Sequence, residues 1–310
     1  MTHAPQNGGG TSLEFMGTHV PQLRLPSSVR LEVLARNGAD DAVSFAEAEI
    51  IANDEIAPEH FLMRVSAPEL ARGMPGQFAV IRPASAREFQ LTLPRPMAVY
   101  RYDRQSGTAE FVYRVVGQGT AAMARRARGE IAEIVGPVGQ PFPIADSTRG
   151  ILIVGRGIGV CSLTALIDEA KGRGIQAYAL LSGRTQDVVL GQEVTRQAGG
   201  HALCVNDSDG SSAVKHVEPW LRAVIEGGHV QQAYACGSNR LIELTTRLAA
   251  SAGVGTYVSL EAHMACGIGY CHSCATGAFG ESTESPLVCR DGPVFQCHAA
   301  GNEPISPWTR

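Results

Sequence analysis

The chain has 310 residues, a formal net charge of -4 and 18% charged residues. This length predicts two domains or slightly more. The small negative charge gives no reason to expect nucleic acid or an anionic membrane surface as a partner. No apolar run approaches the roughly 18 residues that a membrane-spanning helix needs. Residues 1–18 also lack the basic and apolar regions of a secretory signal.

The first half of the chain predicts a tail followed by a small β domain. Residues 1–43 are predicted to be a tail that is partly disordered, because residues 1–26 are rich in Gly, Thr, Pro and Gln. Between residues 44 and 147, short runs of β-forming residues are separated by turn residues, which indicates a small barrel or sandwich. The predicted strands are 61–65, 77–81, 97–100, 110–116 and 130–135.

The pattern changes at Gly150, where strands begin to alternate with helices. Residues 151–154 form a short apolar run that suits a parallel strand buried on both faces. Such alternation indicates an α/β domain with a parallel sheet, which we assign to residues 148–256. Residues 257–310 carry a group of cysteines and little periodicity. The further predicted elements of the α/β domain are helices at 162–171 and 241–250 and strands at 177–181 and 232–236.

Four of the eight cysteines fall within 24 residues of the last segment, in the pattern Cys-x4-Cys-x2-Cys, 14 residues, Cys. Without a secretory signal, thiolate ligands are a better interpretation than disulfides, and the compartment is predicted to be the reducing cytoplasm. A [2Fe–2S] cluster needs four thiolates that converge on a small volume. Glycines between the first two cysteines allow the sharp loop that this requires. The predicted ligands are Cys266, Cys271, Cys274 and Cys289.

Two other interpretations of the cysteines stay open. Zinc sites typically pair cysteines two to four residues apart on each side, which this spacing fits less well. Cysteines also pack as small apolar side chains without any ligand. Cys297 and His298 lie just beyond the group, and Cys297 is predicted not to be a ligand because four are already in place.

A glycine-rich turn follows the buried strand of the α/β domain. Gly155, Gly157 and Gly159 would let the backbone approach a pyrophosphate, and the following helix would offer N–H donors. Cys236 and Gly237 end a later strand, so they are expected at the same carboxyl edge of the sheet. The turn lacks the full G-x-G-x-x-G pattern, and taken alone it is as compatible with tight packing as with a ligand.

A weaker signal for a second cofactor lies in the β domain. Arg95 stands before a predicted strand and offers a planar donor fork that suits a pyrophosphate. Gly119 and Thr120, in a later turn, would offer backbone N–H groups and a hydroxyl to the same anion. From the residues alone, an Arg-Pro pair at this place equally marks the boundary of a strand.

These motifs occur in a fixed order over roughly residues 44–300, and together they resemble the electron-transfer subunits of class 1B (NAD-dependent) dihydroorotate dehydrogenases, within the ferredoxin–NADP reductase-like superfamily. Three sites depart from the usual family pattern: Arg156 stands for Gly, Cys161-Ser162 for Ala-Pro, and His272-Ser273 for an apolar residue and Gly. The motifs are Arg95-Pro96-Met97-Ala98, Val116-Gly117-Gln118-Gly119-Thr120, Gly136-Pro137-Val138-Gly139, Val154 to Val160, Tyr234-Ala235-Cys236-Gly237, Cys266 to Cys274, and Val288 to Phe295.

The resemblance implies an FAD-binding antiparallel β-barrel, a Rossmann-like NAD domain and a small C-terminal [2Fe–2S] segment. It implies NAD(H) as substrate and an FMN-containing catalytic partner, in a heterotetramer of two plus two subunits that serves pyrimidine biosynthesis. No catalytic nucleophile or base is expected in this chain. The alternatives are the reductase of another oxidoreductase or of an oxygenase, and a non-catalytic redox-sensing module. The residues implied to hold FAD are Arg95, Pro96, Met97, Ala98, Val112, Tyr113, Arg114, Gly119 and Thr120.

Overall fold

The computed structural model describes residues 28–34, 43–84, 93–276 and 285–299. The strands are β1 (Val29–Val33), β2 (Ser44–Ala57), β3 (His60–Ser66), β4 (Phe78–Ile81), β5 (Arg95–Ala98), β6 (Arg101–Asp103), β7 (Thr108–Arg114), β8 (Ile131–Val138), β9 (Gly150–Arg156), β10 (Gln176–Gly183), β11 (His201–Asn206), β12 (Gln232–Cys236), β13 (Gly255–Ser259) and β14 (Val294–Ala299). The α-helices are α1 (Pro68–Ala71), α2 (Gln118–Ala124), α3 (Thr164–Gly172), α4 (Gln192–Gln197), α5 (Val214–Glu226) and α6 (Asn239–Ser251), and 3₁₀ helices span Gly157–Ser162 and Gln186–Val188.

An antiparallel sheet in the order β5-β4-β8-β2-β3-β7-β6 forms the first half of the molecule. Its strands alternate between a buried and a more exposed face, as the period of two requires. Phe111 and Tyr113 on β7 point into the same core as Met63 and Val65 on β3. The predicted antiparallel β architecture of this half is therefore confirmed. Strand β2, which is 14 residues long, was not predicted, because its acidic residues weaken the β signal.

A second sheet, in the order β1-β14-β13-β12-β9-β10-β11, forms the other half. The five strands from β13 to β11 run parallel, as predicted. Successive residues of β9 are buried on opposite faces: Leu152 and Val154 lie in one core with α5 and α6, and Ile151 and Ile153 lie in another with α3. Burial on both faces explains why β9 is a continuous apolar run.

Two strands extend this sheet beyond the predicted α/β domain. β14 belongs to the predicted cluster segment and pairs antiparallel with β13, and β1 belongs to the predicted tail and pairs antiparallel with β14. Leu31 and Thr256 are both partners of Cys297 across this edge. His298 Nε2 lies 3.0 Å from Glu32 Oε2. Part of the predicted tail is therefore ordered, and the predicted boundary at residue 257 divides strands that share one sheet.

The two halves pack against each other without a free linker between them. Arg101 on β6 makes an ion pair with Asp168 on α3, with Nε 2.6 Å from Oδ2. Thr164 Oγ1 donates a hydrogen bond of 2.6 Å to the carbonyl oxygen of Tyr100. Val80 on β4 shares a hydrophobic core with strand β9 of the other half. Among the helices in the described ranges, we find none of the length and apolarity that crossing a membrane requires.

Candidate functional site

The loop that carries three of the four cysteines lies against the barrel. Gly267 and Gly269 have φ angles of 72° and 85°, a region that favours glycine. A Cβ atom at position 267 would lie 2.6 Å from Cγ1 of Val80, so the loop can approach β4 this closely only with glycine there. The N–H of Gly269 points at Cys289 Sγ, at 3.1 Å. The loop therefore turns sharply, as its sequence predicts, and directs an N–H group at a sulfur.

The four thiols are arranged as two pairs. Cys274 Sγ lies 3.3 Å from Cys289 Sγ. In the other pair, the N–H of Cys271 donates to Cys266 Sγ at 3.4 Å. Within the described ranges, no three His, Cys, Asp or Glu side chains surround a single point as they would surround one metal ion. Two pairs of thiols fit a [2Fe–2S] cluster, in which two irons share four protein ligands.

The two pairs of cysteines differ in solvent exposure and in the pKa of their thiols. Cys274 and Cys289 are buried, and burial raises the pKa of the Cys289 thiol to about 12. Cys271 is exposed, and hydrogen bonding with Ser273 and then with Cys266 lowers the pKa of its thiol to about 6. Bound iron would displace the protons of all four thiols. One pair therefore faces the protein interior beside the barrel, and the other faces the surface.

Ser273 and Cys297 are placed differently from the four thiols. The hydroxyl of Ser273 lies 3.2 Å from Cys271 Sγ and accepts a hydrogen bond of 3.3 Å from the N–H of Ala265, so it braces the loop. Cys297 is part of β14, and its sulfur lies 3.3 Å from Thr246 Oγ1. This location on a strand, with its thiol against α6, supports the prediction that Cys297 is not a ligand.

The predicted flavin residues meet at one edge of the barrel. Arg95 begins β5, and its guanidinium lies over Gly119 in α2, where a Cβ atom would be 2.4 Å from both Nε and Nη2. Arg95 is half-buried and donates through Nη1 to the carbonyl oxygen of Leu93 at 2.6 Å. Thr120 Oγ1 accepts the N–H of Val116 at 2.9 Å and so shapes the turn before α2. A guanidinium packed on a glycine-lined turn fits a pyrophosphate.

The other predicted flavin residues divide between the two sides of their strands. On β7, Val112 faces the nucleotide-binding half, whereas Tyr113 faces the barrel core and donates to Asn53 Oδ1 at 2.8 Å. Arg114 makes an ion pair of 2.9 Å with Glu59. Tyr113 can therefore meet a cofactor only through its backbone. Pro96, Met97 and Ala98 continue β5 beside Arg95 and are each partly buried.

The structure brings the two predicted dinucleotide turns into backbone contact. A Cβ atom at Gly159 would lie 2.7 Å from the Cα atom of Gly237, and one at Gly155 would lie 2.6 Å from Val160. Gly157, with a φ of 53°, has open space where a Cβ atom would be. Strand β12 pairs with β9 so that Cys236 is the partner of Gly155. The expected meeting of these turns at one carboxyl edge is therefore present.

Sequence reasoning missed Glu261, which lies at the same edge. It follows β13 by two residues and its side chain is exposed, and partial desolvation by the surrounding protein raises the pKa of its carboxyl group. After burial itself, the charge of Glu261 is the main cause that raises the thiol pKa values of Cys161 and Cys236, the latter to about 12. The signal that could have identified Glu261 was its position just after a parallel strand, since the carboxyl ends of parallel strands lie at one edge of the sheet.

A flavin-binding barrel, a dinucleotide edge and four thiols, three on one loop and one from a later segment, define an iron–sulfur flavoprotein reductase of the ferredoxin–NADP reductase type. Residues 261–300 match the family model described as the iron–sulfur cluster binding domain of dihydroorotate dehydrogenase B. The electron transfer subunit of dihydroorotate dehydrogenase B (NAD(+)) from Enterococcus faecalis (strain ATCC 47077 / OG1RF) is 32% identical over 254 residues, which are 80% of this chain and 94% of the relative. The chain therefore belongs to the family of dihydroorotate dehydrogenase B electron transfer subunits.

Further relatives agree with this assignment. The corresponding subunit of Listeria monocytogenes serotype 4a (strain HCC23) is 30% identical over 81% of this chain and 96% of its own length. The structure of an NADH-dependent reduced ferredoxin–NADP oxidoreductase, studied for flavin-based electron bifurcation, matches with a TM-score of 0.67 and 27% identity over 81% of this chain and 88% of that chain. The ferredoxin reductase of carbazole 1,9a-dioxygenase, at 21% identity and a TM-score of 0.57 over 70% of this chain and 68% of that one, shares the fold. The predictions of family, fold class and electron-transfer role are confirmed.

Proposed function

We propose that this chain is the electron-transfer subunit of a dihydroorotate dehydrogenase: it binds NAD(H) beside FAD and passes single electrons through a [2Fe–2S] cluster to an FMN-containing catalytic subunit. The paired thiols carry the proposal, because Cys274 and Cys289 are buried beside the barrel while Cys271 is at the surface. Bound FAD supplies the exchange between two-electron hydride transfer and one-electron transfer that this pathway needs.

The residues of this chain bind and orient rather than react. Arg95 and the turn at Gly119 and Thr120 hold the pyrophosphate of FAD, and Val112, Arg114 and β5 line the rest of its site. The glycines of the first turn and Cys236-Gly237 hold NAD(H). Chemistry on the final substrate belongs to the partner, so no nucleophile or base is needed here. The cluster ligands are Cys266, Cys271, Cys274 and Cys289.

The names of the relatives support dihydroorotate dehydrogenase as the whole enzyme, and with it pyrimidine biosynthesis. We expect a heterotetramer of two plus two subunits in the cytoplasm. A second candidate is the same subunit serving a different flavin-dependent oxidoreductase. Similarity to the ferredoxin–NADP oxidoreductase structure favours it, as do the departures at Arg156 and His272.

Anaerobic purification of the native chain, with identification of bound proteins and visible spectra before and after NADH, tests the proposal. Recovery of a dihydroorotate dehydrogenase-like FMN protein, with bleaching of both flavin and cluster, is the expected result. If the flavin and the cluster bleach but a different oxidoreductase is bound, the electron-transfer role stands and the proposed partner is wrong. A colourless, zinc-containing chain would contradict the proposal, because zinc sites do not absorb visible light.

A further inference from the structure

A charged bridge crosses the carboxyl edge of the nucleotide-binding sheet. Arg156 ends β9 and is the register partner of Ser182 on β10, which in turn is the partner of Val205 on β11. Arg156 Nη1 donates to Ser182 Oγ at 2.9 Å and to Asp207 Oδ1 at 3.1 Å, and its Nη2 pairs with Asp207 Oδ2. Since neighbouring strands are about 4.8 Å apart, the side chain of Arg156 spans the end of β10.

A dinucleotide bound at the glycine turn would lie with its adenosine half over this bridge. The pyrophosphate belongs at the glycine turn after β9, where the strand order reverses between β9 and β12. The nicotinamide must point towards the barrel to meet the flavin, so the adenosine points the other way, over β10 and β11. In dinucleotide-binding sheets an acidic side chain about 20 residues after the glycine turn receives the ribose 2′-hydroxyl, and an arginine nearby accommodates a 2′-phosphate. Asp207 comes later in the chain, just after β11, but Arg156 joins it to Ser182 at the end of β10.

We propose that Asp207, held in place by Arg156, reads the 2′ position of the adenosine ribose and makes this chain select NAD(H) over NADP(H). This inference rests on the proposed function, because it takes the edge to be a dinucleotide site. Asp207 accepts two hydrogen bonds from Arg156 and one from Ser212 Oγ, which leaves acceptor capacity on Oδ2 for a ribose hydroxyl.

A 2′-phosphate meets an electrostatic obstacle at this bridge. Arg156 and Asp207 neutralise each other, so the bridge has no surplus positive charge to attract a phosphate. Withdrawing Arg156 to bind the phosphate would leave the Asp207 carboxylate unpaired beside a group of charge about -1.5 to -2. Bringing like charges together in this way disfavours the phosphorylated ligand.

Two other cations lie near the bridge, and neither replaces Arg156. Arg240 Nη2 donates to the carbonyl oxygen of Ser212 at 3.3 Å. Arg184 follows β10 and is exposed to solvent, and its carbonyl oxygen accepts the N–H of Asp207 at 3.2 Å. Removing the Asp207 carboxylate would thus release Arg156 as the cation already positioned at the end of β10.

The test measures binding of two probes, ADP-ribose and 2′-phospho-ADP-ribose, to the cofactor-loaded chain by titration calorimetry. We expect the natural chain to bind ADP-ribose at least about tenfold more tightly, and Asp207→Asn to shift the affinity ratio towards the phosphorylated probe by about tenfold or more. Adding Arg156→Gln to Asp207→Asn should abolish the shift in affinity towards the phosphorylated probe. Asp209→Asn is the matched control, since it removes the same charge two residues away without touching Arg156.

The outcomes separate this inference from the proposed function. Equal or tighter binding of the phosphorylated probe by the natural chain overturns the inference, as does a shift in Asp207→Asn no larger than in Asp209→Asn. Failure of ADP-ribose to bind the natural chain also overturns it. If NADH does not reduce the flavin but the affinity ratios are as expected, the electron-transfer role fails. The inference about Asp207 then still stands.

Discussion

At the scale of single residues, the position of each thiol decides which cysteines can hold a cluster. Cys274 and Cys297 are both buried, with 3% and 4% exposure, yet only Cys274 contacts another cysteine sulfur. Cys297 contacts Thr246 instead. Burial alone therefore does not separate a ligand from a packed thiol, whereas the partner of each sulfur does.

This difference gives a matched pair of variants. Cys274→Ser should lose the visible absorption and the bound iron of the cluster, because a hydroxyl is a much poorer iron ligand than a thiolate. Cys297→Ser should retain both, since its sulfur lies against Thr246 Oγ1 on α6 rather than against another cysteine. Iron and sulfide analysis beside the visible spectrum checks the pair. Equal loss of iron in the two variants would contradict the assignment.

Glu261 supports a prediction about pH. Partial desolvation raises the pKa of its carboxyl group, and Glu261 lies close enough to Cys236 to raise that thiol's pKa as well. The ionised carboxylate should favour oxidised NAD⁺, whose ring is positive, over NADH. As pH falls through the raised pKa, the carboxylate takes up a proton and this preference disappears.

Glu261→Gln should therefore weaken NAD⁺ binding by about three- to tenfold at neutral pH, with little change for NADH. Titration of both nucleotides from pH 5 to pH 8 measures this. In the variant, the ratio of the two affinities should no longer depend on pH over the range in which it varies in the natural chain. An unchanged pH dependence would place Glu261 away from the nicotinamide.

At the scale of elements, β5 and the turn before α2 act as one unit, since Arg95 packs on Gly119. A methyl group at position 119 would overlap the guanidinium, so Gly119→Ala should displace Arg95 and weaken FAD retention by about tenfold or more. Gly172→Ala, at the end of α3, has nothing within 4 Å and is the control. Flavin content after gel filtration compares them, and equal content in both variants would count against a flavin role for Arg95.

The elements also differ in how far the sequence predicts them. Strand β12 was predicted with its observed bounds, and β9 and β10 closely, because a buried parallel strand is apolar without interruption. Helix α5 was not predicted, although its apolar residues recur at helical spacing, with Val217, Leu221, Val224 and Ile225 buried. Pro219 lies inside its first turns, where it obscures the helical pattern.

At the scale of the whole molecule, the sheet edge joins three distant parts of the chain. β13 of the nucleotide-binding half, β14 of the cluster segment and β1 lie side by side. Val29 on β1 contributes to the same core as Cys274 and Cys289. The position of the buried thiols therefore depends on a core to which the N-terminal strand contributes.

Removal of β1 tests this dependence. A chain starting at residue 35 should unfold at a temperature several degrees lower than one starting at residue 28, because it loses the β14 pairing, the Glu32–His298 contact and the burial of Val29. The longer truncation should also release iron faster. Thermal unfolding followed at the cluster absorption compares the two, and identical melting curves would show that β1 contributes nothing.

The sequence by itself determined the family, the order of barrel, nucleotide domain and cluster segment, and the spacing of the four cysteines. These features can be recognised from short stretches of sequence, because they depend on the spacing of glycines and cysteines along the chain and not on the fold. Only the tertiary structure brought Glu261 beside Cys236, Arg156 across to Asp207, and β1 onto β14. Those contacts depend on strand order, and strand order follows from packing of the whole core rather than from any short run of residues.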